Sequence, residues 1–192
     1  MRFIGSKAAL LQHIDAVIKK NTTGRERVFC DIFSGTGIVA RYFKPKYEVH
    51  SNDALHFSYV IQKATIENNE IPQFAGLRRA GIAEPFSFLE ETPVPPAECA
   101  GNSYFIAENY APNQGCQRMY LSESNALRID FIRQTIETWK QAALVTEMEY
   151  YYLLAGLIEA VPSVSNITGT YGAYLKRWDK RTFKSLELAR LE

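Results

Sequence analysis

The stretch Arg27-Val-Phe-Cys-Asp31-Ile-Phe-Ser-Gly35-Thr-Gly37 constrains the fold more than any other part of this 192-residue chain. A short β-prone run ends in a carboxylate, passes through two glycines and enters an apolar helix start at Ile38. Glycine reaches left-handed backbone angles without steric cost, so such a turn can bring backbone N–H groups close to a ligand. The flanking pattern agrees. Leu10, Leu11, Ile14, Val17 and Ile18 recur at helical spacing behind a candidate N-cap at Ser6, with Gln12, Asp15, Lys19 and Lys20 mostly on the other side. Arg27 to Ile32 reads as a buried strand, and Ile38 to Phe43 as a helix that must stop before Pro45. Tyr47 to Ser51 reads as a second strand, and Ala54 to Asn68 as a helix with Phe57, Val60, Ile61 and Ala64 on one face. Helix, strand, turn, helix, strand, helix is the opening of a parallel α/β sheet with right-handed crossovers.

The pattern changes after Asn69. Glu84 to Asn102 carries Pro85, Pro93, Pro95, Pro96 and Gly101 and reads as loop or irregular structure. Asn125 to Trp139 and Leu144 to Val161 read as two long helices with no strand between them. We therefore expect an α/β part over residues 1–69, a mostly helical insertion over 70–165, and a turn-rich, basic segment over 166–192. Composition supports a folded chain, with 46% hydrophobic and 22% charged residues. The 22 basic residues nearly balance 21 acidic ones, which excludes nucleic-acid binding by bulk charge; any basic patch is local. Cys30, Cys99 and Cys116 are odd in number and not closely paired, so reduced thiols in a cytoplasmic protein are the simplest expectation. The three histidines form no spaced cluster, and no stretch approaches the roughly 20 apolar residues of a membrane helix.

Asp53 lies 16 residues past Gly37, just after the second strand. In doubly wound sheets an acidic residue there accepts hydrogen bonds from ribose hydroxyls. It is equally placed to cap the helix that follows. Gly35, Gly37 and Ala40 satisfy the relaxed pattern G-x-G-x-x-A, so a nicotinamide dinucleotide and an oxidoreductase stay open at this point.

Phe3-Ile-Gly5-Ser-Lys7, the DIFSGTG turn and Ser51-Asn-Asp53 together resemble the cofactor-binding half of DNA adenine-N6 methyltransferases of the Dam-type or D12 class. Asn166-Ile-Thr-Gly169-Thr-Tyr171-Gly172 is similar to the family's N-x-x-G-x-aromatic segment. The resemblance implies a partial Rossmann-like fold that binds S-adenosylmethionine across the strand ends. It implies that Phe3 packs against the cofactor and Lys7 meets its methionine carboxylate. Asp31, Phe33, Ser34, Gly35, Thr36 and Gly37 would surround the methionine part, and Asp53 would hold the ribose. A core role for Phe3 and a solvated one for Lys7 are the alternatives. The partner implied is double-stranded DNA, methylated at adenine N6, in a restriction-modification setting.

One element of the family is missing. Its catalytic motif, Asp/Asn-Pro-Pro-Tyr/Phe, pairs a polar group with an aromatic that stacks on a flipped base. The only Pro-Pro here, Pro95-Pro96, follows Val94 and precedes Ala97. We therefore expect no catalytic residue in this chain: the motif would lie beyond residue 192, and the chain would be an inactive fragment prone to self-association. A non-catalytic module that binds DNA or protein is the alternative. The DNA candidates are Tyr171, Lys176, Arg177, Lys180 and Arg181, basic residues interleaved with aromatics. Their alternative is an amphipathic helix with a solvated face.

Overall fold

A computed structural model describes residues 5–95, 104–169 and 171–191. The chain is mixed α/β, with a small parallel sheet and eight α-helices among the described residues. It opens with a 3-10 turn at Ala8–Leu10 and α1 (Leu11–Asn21), followed by β1 (Val28–Asp31), α2 (Ile38–Phe43), β2 (Glu48–Ser51) and α3 (His56–Gln62). β1 and β2 pair in parallel, with Val28 opposite Glu48 and Asp31 opposite Ser51. That register brings both strands to an end at the same level, so the glycine turn after β1 and Asn52-Asp53 after β2 emerge side by side. α2 makes the crossover and buries Val39, Ala40 and Phe43. The Phe43 ring lies 4.5 Å from that of Phe29 on β1.

β1, read as a buried strand, alternates exposed and half-buried residues, with Val28 49% exposed. Two further details differ from the sequence expectation. The helix read from Ala54 to Asn68 is α-helical only over His56–Gln62 and then widens into a π-helical turn over Lys63–Glu67. Lys44 Nζ donates to the carbonyls of Thr65 and Asn68 and so closes that turn. The second difference is the orientation of α1. Its buried residue is Asp15, only 6% exposed, whereas Leu10 and Val17 are 54% and 47% exposed. Asp15 pairs with Lys19 at 2.7 Å and with Lys46 at 3.1 Å. Those two ammonium groups hold its carboxyl below the usual range. The link to Lys46, in the α2–β2 connection, thus fixes which side of α1 faces the rest of the chain.

The helical part comprises α4 (Ala75–Arg79), α5 (Pro85–Glu91), α6 (Phe105–Tyr110), α7 (Glu123–Gln141) and α8 (Glu147–Ala160). α5 corrects the expectation of irregular structure there. Pro85 occupies its first turn, where a missing N–H breaks no helical bond. Ser122 caps α7, and a capping box of Thr146 and Glu149 starts α8. Glu149 also accepts from the Phe74 N–H and ties α8 to α4. Leu77, Leu89, Ile132, Ile136 and Leu153 are fully buried in the shared core. A smaller cluster of Val60, Ile61 and Ala64 against Ala155 joins α3 to α8. No helix among the described residues is long and apolar enough to cross a membrane.

Beyond Ser163 the basic segment is not an amphipathic helix. Among its described residues it holds one 3-10 turn at Lys180–Phe183 and then runs extended, burying Leu186 and Leu188 in the helical core. Ala189 N–H donates to Gly156 O at 3.2 Å, and Tyr152 Oη donates to Leu191 O at 2.7 Å. This close crossing requires glycine at position 156, because a Cβ there would lie 2.6 Å from the Ala189 carbonyl. Gly156→Ala should therefore destabilise the chain by about 1–3 kcal/mol, the usual cost of overpacking. Urea unfolding would show this as a lower midpoint with an unchanged slope.

Candidate functional site

Three hydrogen bonds fasten the glycine turn to the end of β2. The Ser34 N–H and the Ser34 hydroxyl both donate to Asn52 O, at 3.0 and 2.9 Å. The Gly35 N–H donates to Asp53 Oδ2 at 2.8 Å. Gly35 and Gly37 have φ of +54° and +72°, the left-handed region where glycine alone is unstrained. Gly37 N–H returns to Ser34 O at 2.8 Å, and α2 starts directly behind it.

Asp53 does two jobs at once. Its Oδ1 accepts from the Leu55 N–H at 3.0 Å while Oδ2 holds Gly35. These two N–H donors, Leu55 first, pull its carboxyl below the ordinary range. Both proposed uses of Asp53, turn holder and ligand acceptor, remain compatible, because an ionised carboxylate has about four acceptor sites. Asp31, at the end of β1, is the opposite case. Burial raises its carboxyl above the ordinary range, the nearby Asp53 charge adds to this, and the Lys7 charge and the Phe33 N–H act against it. Its Oδ2 is buried and has no hydrogen-bond partner. An unpartnered buried carboxylate oxygen is costly, and this one keeps its capacity to accept a further hydrogen bond.

Of the cofactor residues expected from sequence, Asp31, Phe33, Ser34, Gly35, Thr36, Gly37 and Asp53 lie together at the strand ends. Lys7 is exposed, and Phe3 lies outside the described residues. Ser34 is buried and supports the turn, while the Phe33 side chain is 77% exposed beside it. Sequence reading missed Gln62, which is 7% exposed and donates to Ser34 Oγ at 2.6 Å. Its signal was a lone amide beside the apolar pair Val60-Ile61 and next to the helix widening.

The DNA candidates do not share one environment. Lys176, Arg177 and Lys180 are exposed. Arg181 is partly buried: its Nη2 donates to Ile167 O at 2.5 Å and its Nε lies 3.5 Å from Asp179. Tyr171 is 45% exposed and its hydroxyl lies 3.1 Å from Ser165 Oγ. Beneath them, the fully buried Asn166 donates to Met119 O and Leu175 O and accepts from the Asp179 N–H. That one amide holds the small antiparallel bridge between Ile167 and Tyr174 in place.

Residues 3–192 match the family of D12 class N6 adenine-specific DNA methyltransferases. The chain belongs to that family. Among curated proteins it is 53% identical over 192 residues to the type II methyltransferase M.FokI of Planomicrobium okeanokoites, covering all of this chain and 29% of that protein. It is 53% identical over 188 residues to the modification methylase StsI of Streptococcus sanguinis, covering 98% of this chain and 28% of that protein. The modification methylase LlaI of Lactococcus lactis is 42% identical over 192 residues and is covered to 30%. The chain thus spans less than a third of the length of these three relatives. No solved structure matches it. Within this D12 chain the glycine turn, Asp31 and Asp53 lie together at the ends of β1 and β2, joined by hydrogen bonds between the turn and the end of β2.

The direction of the Asp31 shift yields a prediction. A carboxyl whose folded pKa is raised carries a penalty that is absent below its unfolded pKa and complete above its folded pKa. Asp31→Asn should therefore stabilise the unliganded chain at neutral pH, and the gain should vanish in acid. Thermal unfolding of both proteins between pH 3 and pH 8 would show converging melting temperatures at the acid end.

Proposed function

We propose that this chain binds S-adenosylmethionine at the glycine turn, and that β1, α2 and β2 are the opening of a Rossmann-like methyltransferase fold. The observation that carries the reading is the partnerless buried oxygen of Asp31 beside that turn. An amino-acid moiety suits the opposite charges of Asp31 and Lys7, the ammonium to Asp31 and the carboxylate to Lys7. Asp53 retains acceptor capacity for ribose hydroxyls. Phe33 and Leu55, 77% and 54% exposed, offer apolar surface on either side of the turn and of Asp53.

When bound, S-adenosylmethionine supplies a methyl group activated on a sulfonium. The whole protein would transfer it to the N6 amine of a flipped adenine in double-stranded DNA, as the modification partner of a restriction enzyme. The residues of this chain would bind and orient the donor, and orientation is a large part of what such a transfer requires. Pro95-Pro96 is not the catalytic motif. It lacks the polar and aromatic neighbours, and the Pro95 carbonyl is taken by Tyr104 Oη at 2.6 Å. Lys176, Arg177 and Lys180 would contact phosphates, with Tyr171 beside them. Arg181 would act mainly on the loop that presents them.

Calorimetry with S-adenosylhomocysteine and with NAD tests the cofactor reading. Saturable binding of the first and none of the second is expected. The reverse would make the chain a nicotinamide-binding protein. Labelled S-adenosylmethionine with adenine-containing duplex should give no methylated DNA from this chain alone, and clear turnover would show that a catalytic residue had been overlooked. The open apolar surface at Leu10, Val17 and Ile32, which is 60% exposed, is also expected to cause self-association. Light scattering should show mass rising with concentration, and a monomer throughout would contradict this.

A further inference from the structure

We propose that Gln62 is the positioning residue of the cofactor turn, an inference that rests on the cofactor reading above. The side chain is buried and reaches the turn from α3. Its Nε2 donates to Ser34 Oγ at 2.6 Å and approaches Gly35 O at 3.5 Å, a long contact. The Ser34 hydroxyl passes the connection on to Asn52 O at 2.9 Å. A relay therefore runs from α3 through the turn to the end of β2. Its order is forced by donor counts. The Ser34 hydroxyl spends its single proton on Asn52 O, so it must accept from Gln62, and only an amide nitrogen can serve both Ser34 and Gly35.

The consequence lies in the Gly35–Thr36 peptide. Gly35 is held at both ends, its N–H by Asp53 and its C=O on the Gln62 side. In a planar trans peptide the C=O and the following N–H point in opposite directions. Drawing Gly35 O toward α3 therefore turns the Thr36 N–H away from it, out of the protein side of the turn. The stem of Gln62 and the end of Ile66 back the other glycine: their carbons would stand 3.8 and 3.7 Å from a Cβ on Gly37. Ile66 belongs to the π-helical turn, a feature frequent at functional sites. Gln62 thus selects the peptide orientation that a ligand on the open side would meet, without itself touching that ligand.

The test compares Gln62→Met with Thr65→Val. Methionine keeps the volume and removes both amide donors. Thr65 is as buried and close by, but its hydroxyl donates only to Ile61 O within the helix. In the unliganded proteins, Gln62→Met should speed hydrogen exchange at the Gly35 and Gly37 amides about tenfold, the effect of losing one hydrogen bond. It should weaken S-adenosylhomocysteine binding by a similar factor. Thr65→Val should do neither. Unchanged exchange and affinity in Gln62→Met would overturn the proposal, and so would equal effects from Thr65→Val, which would make the role merely structural. If the unaltered chain binds no S-adenosylhomocysteine, the cofactor reading falls, and the exchange rates alone decide whether Gln62 holds the turn.

Discussion

The Asp53 carboxylate holds the first glycine of the turn with one oxygen and the start of α3 with the other. Hydrogen bonds to an ionised acceptor are stronger than neutral ones, and solvent screens part of that gain at this shallow carboxylate. With the two bonds from Ser34 to Asn52 O, this pair sets where the turn sits. It can form only because β1 and β2 are parallel and end in register, which places Asn52-Asp53 beside Ser34-Gly35. The strand pairing, the α2 crossover and the left-handed glycines all converge on that one contact. Asp31 shows its cost: a second carboxylate, close enough for Asp53 to disfavour its charge, is kept half-buried with one oxygen unpartnered. Stability is given up there, beside the turn proposed to take the cofactor.

Among the described residues, the helical part reaches this site mainly through one helix, with Leu191 of the extended segment packing on the same cluster. α8 buries Ala155 against Val60, Ile61 and Ala64 on α3, and α3 in turn carries Gln62 toward the turn. The extended segment near Ala189 crosses α8 at Gly156 and closes the helical core with Leu186 and Leu188. Through this packing the helices fix the back of the glycine turn as well as their own core. α1 contrasts with them, since its apolar residues are at most half-buried, Val17 is exposed, and an ion pair orients it.

Much of this was legible in the sequence because the relevant signals are local. Two glycines after a β-prone run, a carboxylate before them and another after the next strand announce the turn and its ends. The long periodic helices α7 and α8 announce themselves equally well. What was not legible depends on tertiary choice. Amphipathic spacing in α1 identifies a helix, but Lys46, distant in sequence, decides which side faces inward. Pro85 reads as a breaker until its place in the first turn is known. Gln62 is a single amide whose role exists only once α3 lies against Ser34. Arg181 reads as a surface cation, yet its guanidinium lies against Ile167 O and Asp179.

The central claim is that the turn, Asp31 and Asp53 form one ligand site, and amide chemical shifts test it most directly. A chain labelled with nitrogen-15 is titrated with S-adenosylhomocysteine. Saturable shifts concentrated at Asp31, Gly35, Thr36, Gly37 and the Asp53–Leu55 stretch are predicted. Saturable shifts that leave the glycine turn unmoved and gather elsewhere would contradict it.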